Sequence, residues 1–195
     1  GELVYESKTT STPVLDKVKF VSGLSLNTNA IIGEKIIGKD IEWLEEEYRV
    51  KPTQPLKLKL LALLQKIDVL PAELVLVQAA NESAWGTSRF ARKGYNFFGL
   101  WCFSKGCGFV PNRRNDGASH EVAKFDSLSR ATYTYMRNLN RHDAYADLRE
   151  IRSRLRANQI PITGVALAEG LMNYSERGAA YVEELQTMIQ FNEEF

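Results

Sequence analysis

The chain has 195 residues, 44% of them hydrophobic and 10% aromatic, which is room and apolar material for one ordinary domain with or without an appended arm. Its 25 basic and 24 acidic residues leave a net charge of +1, so no global field selects a nucleic acid or a membrane surface as partner. No apolar run approaches the ~20 residues that a membrane-spanning helix needs. The arginine clusters, Arg113-Arg114 and Arg149, Arg152, Arg154 and Arg156, read as solvated helix and loop faces in preference to an anion site.

Gly1 to Tyr5 carry no charged-then-apolar leader, and the missing initial Met fits a trimmed chain that has lost a signal peptide. Residues 1–54 differ from the rest. A Ser/Thr/Pro-containing extended start, Ser7 to Pro13, precedes helical apolar spacing from Asn27 to Tyr48, and Pro52 and Pro55 mark a break. This segment reads as an N-terminal helical arm packed on the main domain, a stabilising arm in preference to a regulatory lid. Residues 55–195 form the second domain.

From Pro55 the pattern is mostly helical. Leu56, Leu58, Leu60, Leu61, Leu63 and Leu64 make a strongly apolar helix ending near Asp68. Pro71 occupies a first-turn position, with Glu73 in the electropositive first turn of a helix that runs to Glu82. That helix is apolar nearly all round and is expected to be buried. Between Leu100 and Phe125, Trp101, Phe103, Phe109 and Val110 alternate with turn signals at Pro111-Asn112 and Asn115-Asp116-Gly117, and His120 to Phe125 alternates as a half-buried strand does. Asp126 or Ser127 caps a helix through Thr132, Tyr135, Met136 and Leu139. Further helices are predicted at 144–157, 163–173 and 178–192. The fold class is α+β, mainly α: a helical domain with a small β insertion at about residues 100–125, an arrangement that builds a two-walled cleft.

Cys102 and Cys107 are the only cysteines, and their four intervening residues suit a small disulfide loop, with free thiols the alternative. Zinc would need two further ligands, and the only histidines are His120 and His142. A disulfide points to an oxidising compartment.

Glu82 stands out chemically. Positions 75, 78, 79 and 82 share one helix face, so Glu82 extends a stripe of Val75, Gln78 and Ala79 that looks inward. A carboxyl at the inner end of a buried helix, beside Trp85, is desolvated and holds its proton more tightly, as a general acid must near neutral pH. The competing structural reading has Glu82 end the helix and pair with Arg89 or Arg92.

Two motifs in register carry a resemblance. Ala79-Ala80-Asn81-Glu82-Ser83-Ala84-Trp85-Gly86-Thr87-Ser88-Arg89-Phe90-Ala91 resembles the acid motif of glycoside hydrolase family 73, the endo-β-N-acetylglucosaminidases of bacterial cell-wall turnover, and Tyr95-Asn96-Phe97-Phe98-Gly99-Leu100 is similar to its Asn-Leu-Phe-Gly element. Phe125-Asp126-Ser127-Leu128 resembles the family's passage from the β insertion to the next helix. Leu56 to Phe195 resembles the Bax-type members from Gram-negative bacteria, and residues 1–54 lie outside the resemblance. It implies a lysozyme-like fold with Glu82 as general acid. Asn173-Tyr174-Ser175-Glu176-Arg177-Gly178-Ala179-Ala180-Tyr181 is similar to the family's Tyr-Ala-Thr-Asp-Pro-x-Tyr motif, but lacks Asp-Pro and sets the two tyrosines one residue further apart. Tyr174 is carried over as an active-site phenol and Tyr181 as a substrate contact; the alternative for Tyr174 is a buried phenol bonding a backbone carbonyl.

Glu121 is preferred over Asp116 as second carboxylate, with Asp126 a helix cap. A carboxylate separation of roughly 5–5.5 Å would mean retention and roughly 6.5–9.5 Å inversion, unless the substrate's own N-acetyl oxygen attacks. Trp85, Phe98, Trp101 and Phe109 are candidate sugar platforms and Asn96 a polar contact, against core packing for Trp85 and Phe98. His120 reads as a lone surface histidine in preference to a group that tunes Glu121, and His142 reads as helix-end or loop chemistry. The implied activity is peptidoglycan hydrolysis in the periplasm or cell envelope, by a monomer, with no metal or organic cofactor. The rivals are a muramidase or lytic transglycosylase on the same fold and an inactive wall-binding domain.

Overall fold

A computed structural model describes residues 34–111 and 120–192. The chain divides into two compact units, residues 1–67 and 68–195. The predicted turn at Asn115-Asp116-Gly117, with Asp116 and Arg113-Arg114, and the extended start at Ser7 to Pro13 lie outside the described residues.

In the first unit, helices α1 (Glu34–Glu47) and α2 (Leu56–Lys66) share a small core of Leu44, Tyr48, Val50 and Leu63. Lys66 Nζ donates to the Tyr48 carbonyl at 2.7 Å, and Lys59 pairs with Glu45 at 2.9 Å. The compact boundary therefore falls after α2, beyond the proline break at 52–55.

The second unit is mainly helical with one small antiparallel sheet, the α+β class that the sequence predicts. Helix α3 (Ala72–Glu82) follows Pro71, and Glu73 in its first turn accepts from the Gly164 N–H at 2.8 Å. A short helix α4 (Arg89–Gly94), not anticipated from the sequence, starts where the Ser88 hydroxyl accepts from the Ala91 N–H. Strands β1 (Trp101–Cys102), β2 (Gly108–Phe109) and β3 (Glu121–Ala123) form a sheet in the order β1-β3-β2, with Val122 opposite both Trp101 and Phe109. Ser127 caps α5 (Leu128–Arg141) by accepting from the Arg130 N–H. A 3-10 turn at Asp143–Tyr145 leads into α6 (Ala146–Ala157), where the predicted helix 144–157 lies. The predicted helix 163–173 is α7 (Gly164–Ala168) followed by a 3-10 turn at Glu169–Leu171, and α8 (Ala179–Asn192) closes the unit.

The core gathers Leu74 and Val77 of α3, Tyr135 and Leu139 of α5, Leu148 of α6 and Leu185 of α8. Each such aliphatic side chain taken from water contributes roughly 1.5–3 kcal/mol. Helix α3 is not buried all round as expected: Leu76 is 68% exposed, because α7 and α8 cover only one side of it.

The expectation of solvated arginine faces fails at Arg149 and Arg152, which are 5% and 1% exposed. A helix C-terminus leaves carbonyls without intrahelical donors, and guanidinium groups reach them. Arg149 donates to the carbonyls of Leu139 and His142 at the end of α5, at 2.9 and 2.8 Å. Arg152 donates to the carbonyls of Asp68 and Val69 and to Asn140 Oδ1, while the Asp68 carboxylate pairs with Arg156 at 2.6 Å. His142 acts as predicted, its Nδ1 accepting from the Ala144 N–H.

Gly170 lets α6 pass over the second 3-10 turn, since a Cβ at position 170 would lie 2.2 Å from the Leu148 Cα. Gly170→Ala is expected to cost about 3 kcal/mol through this backbone clash, measured as a lower urea midpoint at unchanged slope.

Candidate active site

Helix α3 stops at Glu82 because the chain turns left-handed immediately after it. Ala84, Trp85 and Gly86 have φ of 50°, 56° and 75°, a run that two non-glycine residues enter only against steric resistance. Ser83, fully buried, pins the turn: its hydroxyl donates to the Ala79 carbonyl at 2.6 Å and accepts from the Gly86 N–H at 2.7 Å. The result separates two neighbours in sequence. Glu82 points inward and is half-buried, whereas Trp85 points outward and is 72% exposed.

Glu82 Oε1 accepts a hydrogen bond from the Tyr181 hydroxyl of α8 at 2.8 Å. Oε2 faces the Cα of Gly99, where a Cβ would come within 2.9 Å of it; φ there is +62°, so both space and backbone call for glycine. Behind Tyr181 lies Gln78, wholly buried, whose Nε2 donates to the Tyr181 oxygen at 3.0 Å and whose Oε1 accepts from the Tyr135 hydroxyl. The sequence reading puts Gln78 on the inward stripe and Tyr135 on the capped helix after the β insertion, and assigns neither to the site. The available signal was an amide in an otherwise apolar helix, one turn before Glu82, since a buried amide demands partners.

Aromatic rings form the floor. Tyr174 and Tyr181 lie parallel with centroids 5.8 Å apart, and Phe98 stacks on Tyr135 at 4.1 Å. The Tyr174 hydroxyl donates to the Phe98 carbonyl at 2.7 Å. That is the backbone-bonding alternative for Tyr174, and it fastens the loop carrying Gly99 to the same floor as Glu82.

Burial pushes the Glu82 carboxyl above its ordinary value, and the nearby charge of Glu184 pushes the same way. The Tyr181 bond and the Arg177 charge oppose the rise without cancelling it. The last turn of a helix adds a negative dipole end beside the carboxyl. Burial also drives Tyr135, Tyr174 and Tyr181 upward, so these phenols stay neutral hydrogen-bond donors. Arg177 pairs with Glu184 at 2.7 Å, and Asn81 Nδ2 donates to the same carboxylate at 3.3 Å. Arg89 instead donates to the Val110 carbonyl.

The remaining predicted residues divide between surface and scaffold. Asn96 is 2% exposed and spends its whole amide on the chain: it donates to the carbonyls of Leu100 and Ala123 and accepts from the Leu100 N–H. Phe98 is equally buried. Tyr181 is buried too, reaching Glu82 and not solvent. Asn96, Phe98 and Tyr181, expected as substrate contacts, thus lie buried among protein partners, Phe98 in the core packing that the sequence offered as its alternative. Glu121 is also buried, its two oxygens accepting from the N–H groups of Gly106 and Gly108 at 2.9 and 2.8 Å. Those glycines flank Cys107, which is disulfide-bonded to Cys102, so the carboxylate braces a cross-linked loop. Among the described residues the one cluster with metal-ligand spacing is Cys102, Cys107 and Glu121, and its sulfurs are bonded to each other. Trp101 is half-exposed, its ring edge-on to His120 at 4.2 Å, and Phe109 packs on Phe90 at 5.9 Å.

Comparison with known proteins decides the relationship. The sequence profile of the glucosaminidase family, described as mannosyl-glycoprotein endo-beta-N-acetylglucosaminidase, matches residues 59–194. The chain belongs to this family. Protein bax of Escherichia coli (strain K12) is 35% identical over 131 residues, which make up 67% of this chain and 46% of that protein. The chain thus spans less than half the length of this relative. No solved structure matches. Membership of the glucosaminidase family supports a glycoside-hydrolase-like activity on a glycan. No helix among the described residues is long and apolar enough to cross a membrane.

Because folding raises the Glu82 proton affinity, its stabilising contribution is complete below the ordinary carboxyl range and is lost as pH rises through the raised value. Glu82→Gln keeps the site neutral at every pH. It is expected to melt above wild type at about pH 8, with the gap closing by about pH 4, in paired thermal scans.

Proposed function

We propose that this protein cleaves the glycan strands of peptidoglycan as an endo-β-N-acetylglucosaminidase, with Glu82 as general acid. The observation that carries the reading is a half-buried carboxyl at the end of α3, held by one phenol and raised in proton affinity by burial, within the family's acid motif. Glu82 would deliver its proton to the glycosidic oxygen as the C1–oxygen bond breaks, and the leaving sugar would keep that proton as its new hydroxyl.

The positive charge that develops at C1 calls for a nucleophile or a countercharge. Both Glu121 oxygens are taken up by backbone N–H groups, which favours the substrate's N-acetyl carbonyl oxygen as the attacking group. Water then opens the resulting ring at C1 and returns a proton to Glu82. Trp101, exposed on β1, and Trp85, exposed beyond the helix end, are the aromatic faces available to sugar C–H surfaces. The disulfide suits an oxidising compartment, in keeping with a periplasmic or cell-envelope setting.

The test is a digest of purified peptidoglycan by wild type and by Glu82→Gln, with mass spectrometry of the borohydride-reduced products. Reduced N-acetylglucosamine ends are expected, falling by about 10²–10⁴-fold in rate in the variant. Muramic or anhydro-muramic ends would place the cut at the other linkage. No product from either protein on several wall types would leave a binding domain.

A further inference from the structure

The hydrogen bonds behind Glu82 have a direction. A primary amide has one end that only accepts and one that only donates, so Gln78 imposes polarity on whatever it joins. Its Oε1 takes the Tyr135 hydroxyl proton, and its Nε2 gives a proton to the Tyr181 oxygen. The single Tyr181 hydroxyl proton is then left to point at Glu82 Oε1, 2.8 Å away. A second proton on Oε1 would meet it head-on in that gap.

Tyr135 sets the direction. It is fully buried, and among the described residues Gln78 Oε1 is the only acceptor its hydroxyl reaches. Turning the amide over would strand that proton, at the cost of an unsatisfied buried donor. The far oxygen of the carboxyl, Oε2, lies against the bare Cα of Gly99 and takes part in no hydrogen bond among the described residues.

We infer that Tyr135 and Gln78 are positioning residues that fix the transferable proton of Glu82 on Oε2, the oxygen beside Gly99, by forcing the Tyr181 hydroxyl to donate to Oε1. The inference rests on reading Glu82 as the proton donor, and it explains why an apolar core holds an amide wholly away from water. The chain also limits how far burial raises Glu82, because a donor on Oε1 favours the carboxylate. The charged and titratable groups that act on Glu82, or on which its charge acts, are Tyr181 and Glu184 of α8, Arg177 before it, Tyr174, Tyr145 and Tyr135. Only Tyr181 among them bonds the Glu82 carboxyl.

Carbon-13 NMR of glutamate-labelled protein reads the Glu82 titration directly, its resonance being assigned by its loss in Glu82→Gln. Tyr181→Phe removes the donor and is expected to raise the Glu82 midpoint by roughly half a pH unit or more. Tyr135→Phe and Gln78→Met, which leave Tyr181 in place, are expected to move it in the same direction. Tyr135→Phe added to Tyr181→Phe is expected to move it no further, since Tyr135 acts only through Tyr181. An unmoved midpoint in folded Tyr135→Phe or Gln78→Met, or additivity in the double variant, overturns the inference.

Wild type alone supplies a second check. A nuclear Overhauser contact from the Gln78 amide protons to the Tyr181 hydroxyl proton is expected, and a contact to the Tyr135 hydroxyl proton in its place means the opposite polarity and overturns it. Neither readout needs turnover. A chain that titrates as expected but releases no sugar ends from peptidoglycan refutes the glycosidase reading and leaves the proton assignment standing.

Discussion

The bond between the Tyr181 hydroxyl and Glu82 joins the two helices that frame the site, and much of the second unit is arranged to allow it. α3 and α8 pack along their apolar faces, so a carboxyl between them sits in a poor solvent for charge. One neutral donor cannot replace the water such a group loses. It can stabilise the charged form enough to keep the carboxyl ionisable while leaving its proton affinity raised. Without the phenol the group would be a plain buried acid; with a guanidinium it would be a plain salt bridge. Arg177, whose charge acts on it, is engaged by Glu184 instead.

The parts of this arrangement that depend on local periodicity were legible in the sequence. Glu82 on an inward stripe, the Ser127 cap and the broad helix order follow from spacing and side-chain chemistry at short range. The cysteine pair also suggested itself from five positions of separation. What stayed illegible was which buried polar group meets which. Gln78 could be placed on the inner face of α3, but nothing nearby in sequence announces that its amide lies between Tyr135 and Tyr181. Asn96 carries a related lesson. Its motif suggested a ligand contact, whereas its amide ties Leu100 and Ala123 together and thereby shapes the loop that presents Gly99.

Arginines and Glu121 make the same point about charge. A side chain that is usually solvated becomes interior when backbone groups supply its partners. Arg149 collects the carbonyls that end α5, and Glu121 collects two N–H groups beside Cys107. In both cases the partner is main chain, which sequence does not distinguish from one residue to the next. The brace matters because three strands of two or three residues form a sheet too small to hold its shape by pairing alone. The disulfide and the buried carboxylate together supply the missing constraint.

The polar chain behind Glu82 spans large separations: 57 positions from Gln78 to Tyr135, 103 from Gln78 to Tyr181 and 99 from Glu82 to Tyr181. Contacts so distant along the chain must wait until the loops between them have closed, and they form late unless they belong to the folding nucleus. A compact intermediate with α3 intact but side chains still fluctuating would carry Glu82 as an ordinary, hydrated carboxyl. The proton affinity of this one group is therefore a signature of finished tertiary packing.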